Sequence, residues 1–312
     1  MIERDRDVGQ QFMHLLDEMH KRVVGMEESI ETILIAMFSG GHILLESVPG
    51  MGKTMMSRTL SDCLDCSFKR IQCTSDLTPK ELTGESIYDE EKKDYFLRKG
   101  PIFTNILLVD EINRAQPLTQ SALLEVMEEK QTTSRGKTYE LPKPFMVIAT
   151  QNPVEQVGTF PLPEAQKDRF LFKVVITYPS KEDEISIVRS KLDQEEVETI
   201  FNPAEIMILR EEIQSNVKIS DTLVEYAVKI VEETRVYRGV QTGASLRASI
   251  YISSTSKTRA FLHGRDHVIL EDIQYLAFPL LRHRIILDPN VKEFGTTPDD
   301  IVSKILSRVE PP

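Results

Sequence analysis

Leu44-Leu45-Glu46-Ser47-Val48-Pro49-Gly50-Met51-Gly52-Lys53-Thr54 decides the fold of this 312-residue chain. Its apolar start suits a buried strand, its Pro/Gly segment turns the backbone, and Lys53 through Cys63 reads as a helix. A polyphosphate needs backbone N–H groups aimed at it, a helix N-terminus behind them, a Lys on its outer phosphates and a hydroxyl for Mg²⁺. Gly50, Gly52, Lys53 and Thr54 are the residue types for those tasks. The full phosphate-loop pattern asks for Gly where Ser47 stands. Ser can leave a strand with an ordinary φ, and the glycines nearest the phosphates remain. On these residues alone, a Gly/Pro turn that happens to precede Lys-Thr is the other reading.

Downstream, Ile106-Leu107-Leu108-Val109 is a second buried strand, and it ends in Asp110-Glu111. Open α/β sheets bind ligands at the carboxyl ends of their strands, so two acids at that tip suit a nucleotide site. In a phosphate-loop enzyme the first would hold the Mg²⁺ shell and the second would orient or activate the attacking water. Phe145-Met146-Val147-Ile148-Ala149 is a third such strand, leading to Thr150-Gln151-Asn152-Pro153, where the Asn152 amide can meet a γ-phosphate or a water. Phe68 through Gln72 and Phe170 through Ile176 complete the strand-like runs.

Around them, Ile30, Ile33, Leu34 and Met37 mark an amphipathic helix stopped by Gly40-Gly41. Thr78-Pro79-Lys80-Glu81 is a helix start. Ser86–Tyr88 and Tyr95–Leu97 are expected to pair around Glu90-Glu91-Lys92-Lys93, and a second hairpin turns at Ser134-Arg135-Gly136. Ser121 through Glu129 forms a helix between them. After Tyr178-Pro179-Ser180 no strong strand is expected. Helices follow Ser180 and Asn202, and others carry Leu223 through Val231, Ser245 through Leu262 and Thr297 through Val309. The change from α/β to all-α places a boundary at about Pro179.

Composition narrows the function. A formal charge of −11 and a pI near 5.2 disfavour a phosphate-backbone binder, because nonspecific nucleic-acid affinity comes from Lys and Arg. The charged start lacks a signal peptide's apolar core, and no apolar run approaches a membrane span. Cys63, Cys66 and Cys73 fit reduced thiols in the cytosol. Cys63 and Cys66 have C-x-x-C spacing but no His close by for a metal site.

The assembled pieces resemble the MoxR family of AAA+ ATPases over nearly the whole length. The most specific segments are Asp110-Glu111-Ile112-Asn113-Arg114-Ala115, Gln120-Ser121-Ala122-Leu123-Leu124-Glu125, Ala149-Thr150-Gln151-Asn152-Pro153 and Leu162-Pro163-Glu164-Ala165-Gln166-Lys167-Asp168-Arg169-Phe170. The resemblance implies an αβα ATPase core over residues 1–179 with a five-stranded parallel sheet. It gives 180–312 as an all-α lid.

The resemblance also assigns roles. Val48, Pro49, Gly50, Met51, Gly52, Lys53, Thr54 and Met55 would bind ATP, with Lys53 and Thr54 as Walker A. Asp110 and Glu111 would be Walker B, with Mg²⁺ on Thr54 and Asp110. Asn152 would be sensor 1 and Arg169 an arginine finger entering a neighbour's site. Gly243-Ala244-Ser245-Leu246-Arg247-Ala248 resembles the segment carrying sensor 2, which would be Arg247. Relatives usually have Pro at Leu246 and Gln at Met26. A ring, most often a hexamer, is implied, acting in the cytoplasm on client proteins or with a von Willebrand factor A domain partner, sometimes in metal or cofactor insertion. A nucleotide-switched scaffold and a magnesium-chelatase-type motor subunit are the alternatives, although Asn-Arg-Ala after the acids fits MoxR better. The two hairpins correspond to elements that face the pore or a partner in relatives, while Tyr88, Tyr95 and Phe96 also fit simple packing within a hairpin.

Overall fold

The computed structural model describes residues 2–48, 50–153, 158–190 and 195–312. Two helices, α1 (Ile2–Arg22) and α2 (Glu27–Ser39), precede the first strand, β1 (Ile43–Ser47). The phosphate loop leads into α3 (Lys53–Cys63), then β2 (Phe68–Gln72) and α4 (Pro79–Thr83), which has the expected Thr78/Glu81 capping box. A hairpin, β3 (Gly84–Asp89) with β4 (Asp94–Lys99), comes before β5 (Ile106–Asp110). Helix α5 (Pro117–Glu129) feeds the second hairpin, β6 (Gln131–Ser134) with β7 (Lys137–Glu140). Then come β8 (Met146–Gln151), a short α6 (Glu164–Lys167) and β9 (Phe172–Ile176).

The five long-range strands form one parallel sheet in the order β2-β5-β8-β1-β9. Parallel strands covered on both faces must be apolar throughout, which explains why β5 and β8 read as continuous hydrophobic runs. Alternation sorts their side chains. Ile43, Leu45, Ile106, Leu108 and Ile148 join one apolar cluster, while Leu44, Leu107, Val109, Val147 and Ala149 join another with α5. The edge strand β2 carries Lys69 and Arg70 exposed, as an unpaired edge requires.

Beyond the sheet lie α7 (Lys181–Ser190), α8 (Pro203–Asn216), α9 (Asp221–Val236), β10 (Val240–Thr242), α10 (Leu246–Leu262), α11 (Leu270–Leu281), β11 (Ile286–Leu287), α12 (Pro289–Glu293) and α13 (Pro298–Arg308). The strands β10 and β11 pair antiparallel, a small ribbon absent from the sequence reading. Helix α1 was also missed. It buries Val8, Phe12, Leu15 and Met19 along one stripe, and Gly9 packs so closely that a Cβ there would lie 2.9 Å from the Gly264 Cα. Helix α11 is hard to read from sequence because its outward stripe, Glu271, Gln274, Tyr275 and Phe278, is half aromatic and Pro279 sits inside it, so neither a clear polar face nor an uninterrupted run shows. Among the bounds that shift, α5 starts at Pro117 instead of Ser121, using Pro at its first position, β8 runs Met146–Gln151 instead of Phe145–Ala149, and β9 starts at Phe172 instead of Phe170.

Candidate functional site

Strand β1 delivers the chain to the carboxyl edge of the sheet at Ser47. Gly50 and Gly52 adopt φ of 82° and 69°, a left-handed conformation that costs other residues roughly 1–2 kcal/mol. A Cβ at either would meet no atom within 4 Å, so backbone conformation, not crowding within the chain, calls for glycine, and the space over the loop is open. Helix α3 starts at Lys53 with no acidic side chain in its first turn, leaving its N-terminal N–H groups and dipole free of a carboxylate competitor. Lys53 Nζ donates to Ser47 Oγ at 2.7 Å and to the Val48 carbonyl at 3.2 Å. Ser47, the departure from the pattern, thus gives the lysine a partner. Burial pushes the Lys53 ammonium's pKa down, opposed by the nearby charges of Asp110 and Glu111. Met51 packs partly on the core, Met55 is exposed, and Pro49 lies outside the described residues.

The acids stand two strands away, about 10 Å across the sheet at the usual strand spacing. Asp110 is nearly buried at the tip of β5, whereas Glu111 takes φ 55° and ψ 51°, turning the chain sharply. Thr150 of β8 organises both: its Oγ1 donates to Asp110 Oδ1 at 3.3 Å and accepts from the Glu111 N–H at 2.9 Å. Arg70 Nε meets Asp110 Oδ2 at 2.6 Å. Glu111 Oε2 accepts from Gln72 Nε2 at 3.0 Å and pairs with Arg114 Nε at 2.8 Å. Asn152 follows β8 at the same edge. The donor set fits magnesium, since the Thr54 hydroxyl and Asp110 carboxylate are hard oxygens beside a glycine loop open for phosphates. Thr150, Arg70, Gln72 and Arg114 carry no assigned role in the sequence; for Thr150, Arg70 and Gln72 the signal is strand register, which pairs Gln72 with Asp110 and is invisible before the sheet order is known, while Arg114 reaches Glu111 locally, three residues on.

Arg169 and Arg247 lie at the other edge. They line a cleft of about 220 Å³ with Gly41 and His42, the residues that enter β1. Both reach one carboxylate: Arg169 Nη2 is 3.2 Å from Glu128 Oε2, and Arg247 Nη2 is 3.6 Å from Glu128 Oε1. Arg247 Nη1 also approaches Asp168 Oδ2 at 3.8 Å. From Ile43 to Ser47 a strand rises about 13 Å, so both arginines are separated from their own phosphate loop by the length of β1. His42 is fixed there as a neutral imidazole. Its Nδ1 accepts from the Val147 N–H at 2.9 Å, so Nε2–H donates to the Met127 carbonyl at 3.0 Å, and burial pushes its pKa down to about 4.

Comparison with known proteins identifies the family. Residues 42–172 match the family model described as "ATPase family associated with various cellular activities (AAA)", and residues 232–305 match an AAA lid domain. The chain is 38% identical to "Chaperone MoxR1" of Mycobacterium tuberculosis over 95% of its own length and 81% of the relative's. It belongs to the MoxR family of AAA+ ATPases. It is also 45% identical to the uncharacterized protein YeaC of Bacillus subtilis, covering 95% of this chain and 93% of that one. A solved chain from Cytophaga hutchinsonii, described as a "putative ATPase", superposes with a TM-score of 0.92 at 41% identity, covering 99% of this chain and 97% of that one.

In this MoxR-family chain the two hairpins touch. Ser86 Oγ and Ser134 Oγ are 2.8 Å apart, and the Arg135 guanidinium lies 3.6 Å from the centre of the Tyr95 ring. Tyr88 and Tyr95 pair across the first hairpin with ring centres 5.0 Å apart, yet Tyr88, Tyr95 and Phe96 remain exposed.

Proposed function

We propose that this protein hydrolyses ATP at sites completed between adjacent copies in a ring, probing or remodelling partner proteins through the cycle. One observation carries the reading: Arg169 and Arg247 converge on Glu128 at the amino edge of the sheet, too far from their own phosphate loop to serve it. A neighbour's nucleotide is the anion that this pair suits. Lys53 and the loop N–H groups bind the phosphates, and the Glu111 carboxylate accepts a proton from the attacking water while the Asn152 amide orients it. Thr54 and Asp110 would hold Mg²⁺, which when bound would neutralise charge on the phosphates. Arg169 from the next copy stabilises the charge on the transferred group, an effect worth about 10³–10⁵ in rate, and Arg247 adds a second cation from the same side.

The isolated chain keeps these charges occupied. Arg70 is on Asp110, Arg114 on Glu111 and Glu128 on Arg169, so an unassembled subunit is expected to be slow. The same pairings favour the second reading, a nucleotide-switched scaffold whose turnover is incidental. A hexameric ring, a division of the chain into core (1–179) and lid (180–312), a cytoplasmic location and a von Willebrand factor A domain partner, with metal or cofactor insertion as an outlet, complete the proposal. The relative named a chaperone supports the choice of a protein client. Specific activity measured across a dilution series separates the readings. The proposal expects turnover per subunit to rise with concentration as rings form, and dilute monomers hydrolysing ATP as fast as rings would refute it.

A further inference from the structure

Three consecutive basic residues follow α11, Arg282-His283-Arg284, and all three turn onto the stretch Asp168–Lys173 that holds Arg169. Arg282 Nη1 donates to the Lys173 carbonyl at 3.4 Å, and the His283 Nε2 position donates to the Phe170 carbonyl at 3.0 Å. Arg284 is the centre. Its side chain is 1% exposed, and a buried guanidinium is tolerated only when its donors are satisfied. Nε donates to Asp168 Oδ1 at 2.6 Å. Nη1 donates to the carbonyls of Leu171, at 3.1 Å, and Leu280. Nη2 donates to the carbonyls of Asp168 at 3.0 Å and Phe170 at 2.7 Å. Every N–H of the fork is therefore used, and all acceptors but Leu280 belong to the segment from Asp168 to Leu171.

Arg169 lies between two residues whose carbonyls Arg284 grips. The remaining oxygen of Asp168, Oδ2, accepts from Ser245 Oγ at 3.4 Å and faces Arg247, so the start of α10 is tied to the same carboxylate. The Arg284 guanidinium also lies 5.4 Å from the centre of the Tyr251 ring, one turn beyond Arg247 on α10. We infer that Arg284 is a positioning residue for Arg169: the lid holds the finger's backbone through Arg284 and, through Asp168, registers that backbone against the helix bearing Arg247. The two arginines then reach a neighbouring site as one unit whose aim follows the lid. This rests on the reading of Arg169 as a residue that completes another subunit's site.

The test uses the full chain with Arg284→Gln. Turnover is expected to fall at least tenfold in kcat, in line with the cost of misplacing a catalytic group by an ångström. ATP binding to the variant's own phosphate loop, followed with a fluorescent ATP analogue, should change less than about threefold because that loop lies at the far end of β1. Mixing Arg284→Gln with Lys53→Ala subunits should then give turnover above the sum of the two alone, since a Lys53→Ala neighbour presents an intact Arg169 to the Gln variant's loop. No gain on mixing, or a weakened nucleotide affinity that accounts for the lost rate, overturns the inference. Arg169→Ala mixed with Lys53→Ala runs in parallel: a gain there without one for Arg284→Gln rejects the role of Arg284 alone, and no gain in either rejects the interfacial reading with it. If Arg284→Gln fails to fold, Asp168→Asn replaces it, keeping the backbone bonds while removing the charge. That variant is expected to give the same pattern with a smaller loss, and an unchanged kcat overturns the inference.

Discussion

At the residue scale, the proposed cycle gives Glu111 and Lys53 different tasks within one subunit, so their substitutions should fail in different ways. Lys53→Ala removes a charge-assisted contact of about 1.5–3 kcal/mol, so nucleotide affinity measured by calorimetry should drop roughly ten- to a hundredfold. Glu111→Gln keeps the shape of the side chain but cannot take a proton. Its kcat should fall about 10²- to 10⁴-fold while binding is retained, and a Gln variant that turns over normally would remove Glu111 from the role of base. Both can be proposed from sequence because each follows an apolar strand, Lys53 at the end of the loop after β1 and Glu111 directly after β5. The residues that restrain them cannot: Arg70, Gln72 and Thr150 act across strands whose neighbours in the sheet are far apart in sequence. Ser47 illustrates a further limit, because its hydroxyl's bond to Lys53 depends on a lysine conformation that no motif specifies.

At the scale of elements, His42 joins the start of β1 to α5 and β8 through both ring nitrogens, and it must stay neutral to do so. Its pKa is about 4 in the folded chain and near 6.5 when unfolded, so the unfolded state binds the extra proton between those values. Stability is therefore complete above pH 6.5 and is lost as the pH falls toward 4, by on the order of 3 kcal/mol from this residue. Urea unfolding at pH 7.5 and pH 5 should show the decline, and His42→Gln should show less of it. His283, also buried and shifted down, contributes in the same direction and should remain in that variant.

The hairpins offer a second check at this scale. If Arg135 stacks on Tyr95 in solution, a double-mutant cycle with Arg135→Ala and Tyr95→Ala should return a coupling of about 0.5–1 kcal/mol in unfolding, whereas additive losses would show the contact absent. Both hairpins could be read from turn residues and alternation, but their contact could not, since β3–β4 and β6–β7 are separated by a strand and a helix. The helices with clear caps, such as α8 behind Asn202-Pro203, were equally legible, while α11, whose outward stripe includes Tyr275 and Phe278 and which contains Pro279, was not.

For the whole molecule, the fold follows from the apolar strands and their αβα order, but the placement of the lid does not. Nothing in the linear order of Asp168, Arg247 and Arg284 says that they meet, and their meeting moves both outward-facing arginines away from their own phosphate loop. The central claim is that each catalytic site needs two subunits. Its most direct measurement is ATP turnover in mixtures of Arg169→Ala and Lys53→Ala proteins at fixed total concentration. Each alone should be nearly inactive, and activity should appear on mixing and peak near equal proportions, where interfaces pairing an intact Lys53 with an intact Arg169 are commonest. No gain at any ratio, or wild-type turnover by Arg169→Ala alone, would contradict it.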